Sequence, residues 1–336
     1  MPRPPRASAT SVLLLTRRDV AALLTPDAAF AAVEQAFRLH AQGRTLPPGL
    51  LSVPATDGGF HLKAAGIKLR RSYFAVKCNA NFPLNRRRHG LPTIQGLVLL
   101  ADAENGRPLA VLDSMEITAL RTAAATAVAA KHLARPGSRR LFLAGCGLQG
   151  LYHLRALARV LPLQRGALFD TDPAQARRLA RQLGRRPRLK LSIARDLSSA
   201  RECDVVVTCT PSRRAFLGPA GVAPGTFVAA VGADNPEKQE LAPQLLAASA
   251  VVVDSLEQCA DFGELHHAIA AGLMRRQDVR AELAEVIVGR KPGRRAPEET
   301  VIFDSTGTAL EDVAAAVAVY EAAVRRRRGR RINFAA

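Results

Sequence analysis

The stretch LFLAGCGLQG, Leu141 to Gly150, decides how the rest of the chain is read. Four apolar residues, Leu141 to Ala144, predict a buried strand running into a glycine turn. Gly145, Gly147 and Gly150 then have the G-x-G-x-x-G spacing. The first glycine permits a tight turn, the second lets a pyrophosphate approach the backbone, and the third lets the next helix pack closely. That helix, with Leu148 and Gln149 at its start and running to about Val160, would aim free N–H groups at phosphates. An ordinary strand-to-helix turn is the alternative, so context decides. A second apolar strand, Gly166 to Phe169, ends in Asp170, 20 residues beyond Gly150, where a ribose-binding acid belongs. Strand, turn, helix, strand and acid together predict a dinucleotide site.

Downstream of this turn, strands are expected near 139–144, 166–170, 188–193, 204–209, 226–231 and 250–253, with helices between most of them. This alternation predicts a Rossmann-type, doubly wound parallel sheet of the α/β class. Upstream, the alanine-rich segment Ser114 to Ala134 predicts a connecting helix, stopped by Pro136 and Gly137. Leu46 to Leu112 reads as short strands, with Asn105-Gly106 suited to a tight hairpin. An antiparallel or mixed sheet is therefore expected ahead of the nucleotide domain. Thr16 caps a short helix through Leu24, and Thr25-Pro26 starts a longer one that Gly43 ends. Thr300 to Val324 gives one more strand and an amphipathic helix that packs back on the N-terminal domain. The expected organisation is a smaller α+β substrate and dimerisation domain from 1–118, completed by 306–330. A dinucleotide domain spans 119–305, and 331–336 form a basic tail end.

Composition sets the bounds. With 336 residues, 48% of them hydrophobic, the chain can bury a large core and make two domains. The formal net charge is +19, but only 7 of 48 basic residues are Lys, and such an arginine bias does not require nucleic acid. The cluster Arg325 to Arg331 could bind phosphate backbones without sequence preference. It lacks interleaved aromatics or a recognition helix, so a solvated helix end or tail is expected instead. No apolar run approaches the ~20 residues that span a bilayer, and the first ~10 residues are Pro/Arg-rich and read as disordered. The apolar core of MPRPPRASATSVLLLTRR is too short for a signal peptide. Five cysteines without a C-x-x-C pair, together with the cofactor motif, suggest a reducing cytoplasm, with Cys146 a small filler in the turn. No metal-ligand constellation stands out, since adjacent His266 and His267 on a helix face different directions.

Three charged residues sit where chemistry would need them. Lys77 lies mid-strand in FAVKCNANFP, where burial requires an anionic partner and snorkelling is the alternative. Arg121 lies in the alanine-rich helix, facing either solvent or an anion. Asp234 follows the apolar strand Thr226 to Val231, at the edge of an open α/β sheet where ligands collect. Two cations and one acid/base group would suit an amino-acid substrate.

These residues converge on a family. From roughly Leu13 to Val324 the chain resembles the ornithine cyclodeaminase/μ-crystallin family, in the Lys77 strand, LPTIQGLVLLADAENGRPLAVLDS, ITALRTAAATAVAAKHLA and AGCGLQG. It resembles it again in VVVTCTPS, VAAVGADNPEKQEL, VVVDSLEQCADFGE and FDSTGTALEDVA. The resemblance implies an NAD(P)-dependent enzyme working at the Cα–N bond of an amino acid or its imine, and a homodimer formed through the N-terminal sheet. It implies that Lys77 and Arg121 hold the substrate carboxylate and that Asp234 is the general acid/base. Thr93, Leu148, Gln149, Asp170, Thr210, Val228, Ala229, Ala230, Val231, Lys238 and Ser305 match nucleotide-binding positions, and Thr306 one beside the substrate. Asp170 itself favours NAD over NADP, because a carboxylate accepts from ribose hydroxyls and repels a 2′-phosphate, although Arg177 and Arg178 leave room for one.

Two departures bear on substrate. The family has an Arg where this chain has Gly49, and the ornithine enzyme has a Glu where this chain has His61. Lys63, on the same strand face as His61, either replaces the lost cation or is solvated. The expectation is an amino-acid dehydrogenase or ketimine reductase. The alternatives are a true ornithine cyclodeaminase giving proline and a non-catalytic nucleotide- or ligand-binding protein of the μ-crystallin kind.

Overall fold

The computed structural model describes residues 11–184 and 189–334. The segment expected to be disordered, the first ~10 residues, lies outside them. In chain order the elements begin with β1 (Ser11–Leu15), α1 (Arg17–Leu23), α2 (Pro26–Ala41), β2 (Thr45–Ala55), β3 (Gly58–Lys68) and β4 (Ser72–Asn81). There follow α3 (Asn85–Arg88), β5 (Ile94–Asp102), β6 (Pro108–Asp113), α4 (Ser114–Leu133), β7 (Arg140–Ala144), α5 (Leu148–Val160), β8 (Arg165–Phe169) and α6 (Pro173–Leu183). Next come β9 (Lys190–Ile193), β10 (Val205–Thr208), β11 (Arg213–Leu217), β12 (Phe227–Ala230), β13 (Gln239–Leu241), α7 (Pro243–Ala247) and β14 (Ala250–Val253). The chain closes with α8 (Leu256–Phe262), α9 (Glu264–Ala270), β15 (Ala281–Glu282), α10 (Leu283–Ile287), β16 (Val301–Asp304), α11 (Ala309–Arg326) and β17 (Arg330–Asn333). They form two compact units, Met1–Arg121 with Thr308–Ala336, and Thr122–Gly307.

In the first unit, a 7-stranded sheet has the order β17-β1-β6-β5-β4-β3-β2. β1 and β6 are parallel, and the other pairs are antiparallel. The strands expected to be short are long, β2 and β3 reaching 11 residues each. One face packs against α2 and α11 and carries Ala65, Ile67, Ala75, Val98 and Leu100 into the core. The alternate residues form the other face, where Leu51, Val53, Phe60, Leu97 and Leu99 are 37–56% exposed. The basic tail end expected at 331–336 is corrected: Ser11–Leu14 pair with Arg330–Asn333, so the chain returns as an edge strand. Arg327 (φ +52°) and Gly329 (φ +90°) turn it back, and the pairing satisfies backbone groups that β1 would otherwise leave open.

The second unit holds an 8-stranded sheet of order β15-β14-β16-β12-β10-β7-β8-β9, parallel throughout. Strands such as Val205–Thr208, Phe227–Ala230 and Val301–Asp304 are buried along their whole length, as a sheet covered on both faces requires. The order reverses at β7, with β8 and β9 to one side and β10 to the other, which sets a topological switch point beside the glycine turn. β11 and β13 form a parallel two-stranded sheet of their own. Among the described residues no helix is long and apolar enough to cross a membrane.

Candidate functional site

The glycine turn of the second unit takes the form its spacing predicts. Gly145 has φ +98°, and a Cβ there would lie 2.7 Å from the carbonyl of Cys209 at the end of the neighbouring strand. A Cβ on Gly150 would strike the carbonyl of Gly145, whereas one on Gly147 would meet open space. The first and third glycines are therefore fixed by packing, and the second keeps a gap free over the backbone. Gly147 is also the N-cap of α5 and supplies no side chain to the first-turn N–H groups. Asp170 closes the turn: its Oδ2 accepts from Cys146 N at 2.8 Å and its Oδ1 from Asp172 N at 3.0 Å. Burial pushes the Cys146 thiol up to about 12, with Asp170 adding to it, so this cysteine stays protonated. Gln149 gives its carbonyl to His153 Nδ1 at 2.8 Å, and Leu148 is exposed.

Thr210 follows β10, Val228, Ala229 and Ala230 lie within β12 with Val231 just past its end, and Asp234 is in the loop that follows. Asp234 is half-exposed and pairs with Lys238, Oδ1 to Nζ 2.7 Å. Two expected site residues thus meet, and one supplies the counter-charge of the other. Past β16, Ser305 and Thr306 both donate to Asp254, at 3.2 Å each, and Gly307 N donates to it at 2.6 Å. Lys238 further offers its carbonyl to His267 Nε2 at 2.8 Å. Among the described residues no group of His, Cys, Asp or Glu is arranged to hold a metal.

In the first unit, Lys77 is buried on β4, and its Nζ lies 2.7 Å from Asp312 Oδ2 on α11. Arg121, buried on α4, reaches Asp312 Oδ1 through Nε at 2.9 Å and Glu311 Oε2 through Nη1 at 3.0 Å. Glu311 uses its other oxygen to cap α11, accepting from Thr308 N at 3.0 Å. Burial lowers the Lys77 ammonium to about 8 despite the pull of Asp312, with Arg121 and Lys63 repelling it further. Burial alone would raise the Asp312 carboxyl, but Arg121 and Lys77 hold it below the ordinary carboxylate range.

Lys63 stands opposite Lys77 in the β3–β4 pairing, so both share the face that carries His61 and Asn79. His61 Nδ1 lies 3.1 Å from Ser52 Oγ, and Ser114 donates to Asn79 Oδ1 at 2.6 Å. Thr93 lies in the same unit just before β5 and gives its carbonyl to Phe82 N at 2.8 Å. Residue-by-residue reading missed Glu311 and Asp312. An acidic first turn is what any helix N-terminus favours, so their sequence signal was of the wrong kind.

The profile of the ornithine cyclodeaminase/mu-crystallin family matches residues 10–327. An alanine dehydrogenase of Archaeoglobus fulgidus is 39% identical over 322 residues, covering 96% of this chain and 98% of its own. An archaeal alanine dehydrogenase dimer solved with bound NAD superposes with a TM-score of 0.91 at 38% identity, over 96% of this chain and 99% of that one. The Δ1-pyrroline-2-carboxylate reductase of Thermococcus litoralis, solved with NADH and L-proline, gives 0.90 at 28% identity, over 96% and 100%. The chain belongs to the ornithine cyclodeaminase/mu-crystallin family.

Proposed function

We propose that this protein is an NAD-dependent enzyme acting at the Cα–N bond of an L-amino acid or its imine, as an amino-acid dehydrogenase or a ketimine reductase. The observation that carries the reading is the buried Lys77–Asp312–Arg121 cluster. Lys77 and Arg121 bind the substrate carboxylate, and Asp312 with Glu311 keeps both cations charged and oriented while the site is empty. The glycine turn, Asp170, Thr210, Lys238 and Ser305 would hold NAD, with Thr93 a further nucleotide-binding position and Thr306 one on the substrate side, and NAD would supply the acceptor for the Cα hydride. Asp234 takes up and returns protons at the substrate nitrogen or an attacking water. Water attack on the imine releases ammonia and leaves a 2-oxo acid. In reverse, the same groups deliver a proton to a cyclic imine nitrogen as Cα is reduced.

NAD is the expected cofactor, because Asp170 would repel a 2′-phosphate while Arg177 and Arg178 lie on α6 and are exposed. Asp170→Ala should narrow the preference, and a clear NADP preference in the unaltered protein would reverse it. Strict ornithine cyclodeamination is disfavoured by His61, which is bonded to Ser52 and offers no counter-charge to a distal ammonium. The exposed apolar sheet face, with Leu51, Val53, Phe60, Leu97 and Leu99, fits a second copy of the chain, and sedimentation as a dimer checks this.

One experiment separates the activities: a substrate screen following NADH absorbance and ammonia release together. NADH with ammonia identifies a dehydrogenase, and NADH oxidation with cyclic imines identifies a reductase. Ammonia without NADH identifies a cyclodeaminase, and silence with bound dinucleotide identifies a binding protein.

A further inference from the structure

The two-stranded sheet of β11 and β13 lies beside the main sheet of the second unit, and the dinucleotide motif does not call for it. Its most informative residue is Glu240, in the middle of β13 and fully buried. Glu240 Oε1 accepts from Thr210 N at 2.6 Å and from Thr210 Oγ1 at 2.7 Å. Oε2 accepts from Gly232 N at 2.8 Å. Thr210 follows β10 and Gly232 follows β12, adjacent strands of the parallel sheet, so one carboxylate ties together two edge loops.

The fit tolerates nothing larger. A Cβ on Gly232 would strike both the Glu240 carboxyl and the Thr210 carbonyl. Glu240 is held in turn from behind. Its own N–H donates to Glu264 Oε1 at 2.7 Å, and Leu241 N to Glu264 Oε2 at 3.0 Å. Glu264 N and Leu265 N then donate to Asp304 at 3.2 and 2.9 Å, at the end of β16. Each carboxylate is met by backbone N–H groups, which makes the series rigid and leaves Glu240 one orientation.

We infer that Glu240 is a positioning residue for the nicotinamide half of the dinucleotide, setting the Thr210 and Gly232 loops and, through the latter, Asp234 two residues on. The inference rests on the dinucleotide reading above. On that reading the pyrophosphate and the adenosine ribose belong to the Gly145–Gly150 turn and Asp170, and Glu240 bonds to neither. Loss of Glu240 should therefore divide the two halves of the ligand.

The test compares NADH with ADP-ribose, which lacks the nicotinamide, by calorimetric titration of the full chain. In Glu240→Gln the amide oxygen can serve Thr210 while the NH2 opposes Gly232 N–H. NADH affinity should fall about tenfold and kcat by at least as much, with ADP-ribose affinity within about twofold. Glu240→Asp, which keeps the charge but draws it back from both loops, should shift NADH the same way by about threefold. This second variant decides the matter if Glu240→Gln does not fold. Equal losses for both ligands would mean general loosening of the unit and would overturn the inference, as would unchanged NADH affinity and turnover. Failure of the unaltered protein to bind NADH would instead overturn the dinucleotide reading beneath it.

Discussion

The two units bury acids in opposite ways. In the first, Asp312 and Glu311 are neutralised by full charges, the ammonium of Lys77 and the guanidinium of Arg121. In the second, Glu240, Glu264 and Asp304 are met mainly by backbone N–H groups, and among the described residues no basic side chain is bonded to any of them. The pKa directions diverge accordingly. Asp312 is held down by its cations, whereas burial lifts Asp304 to about 7, aided by Asp254 and only partly opposed by the Leu265 and Glu264 N–H groups. Burial likewise raises Glu240 and Glu264. Backbone dipoles shape a loop edge without lending it charge. Cations beside an acid create a place where another anion can be received. Asp234 belongs to neither class, being half-exposed and paired with Lys238.

That last contrast predicts the largest effect. Asp234→Asn should cut kcat by about 10²–10⁴-fold with NADH affinity within a few-fold, because the amide keeps the shape but cannot carry the proton. Normal turnover would move the catalytic role elsewhere. Next, Asp312→Asn takes from Lys77 and Arg121 the carboxylate they share. It should destabilise the chain by about 3–5 kcal/mol in urea unfolding, and adding Lys77→Met should restore part of the loss. If Asp304→Asn costs as much, the distinction between the two kinds of buried acid fails.

The remaining predictions concern pH. Lys77 must be protonated to bind a carboxylate, so kcat/KM should fall about tenfold per pH unit above about 8. Lys77→Arg should remove that decline even if it lowers the plateau. The stability effect has the opposite sign. The folded pKa lies below the model-peptide value of 10.5, so the unfolded chain binds more protons between the two and Lys77 adds stability as pH rises there. For Asp304 the folded value lies above the ordinary 3.8. Its contribution is complete below that value and is lost as pH rises through about 7, with a slope up to about 1.4 kcal/mol per pH unit. Asp304→Asn should flatten that part of a stability–pH curve. Asp312 behaves conversely, since its folded pKa is depressed: its contribution is present above the unfolded value and lost on acidification below it.

Local features were legible in the sequence because their causes are local. The glycine turn, the α5 start, the acid after β8 and the caps at Thr16 and Thr25 each depend on residues a few positions apart. The alanine-rich α4 could be read from propensity alone. Partners distant in sequence could not. Lys77 and Arg121 were recognisable as cations needing an anion, but Asp312 lies 191 residues beyond Arg121, and it is tertiary packing that brings α11 to β4. Glu240 carries no pattern of its own, because β13 is only 3 residues long and polar at its centre. The return of Arg330–Asn333 to β1 was hidden by composition, since an arginine run looks the same in a tail and on an exposed edge strand.

The interleaving of the two units along the chain also has a consequence for synthesis. The sheet of the first unit is complete in sequence, apart from its edge strand, by Asp113, but Asp312 arrives only after the whole second unit. At about 5–20 residues per second, a nascent chain carries Lys77 and Arg121 for roughly ten to forty seconds before their counter-ions leave the ribosome. The second unit, contiguous from Thr122 to Gly307, can fold during that interval, so the N-terminal sheet, first to be made, is the last to close.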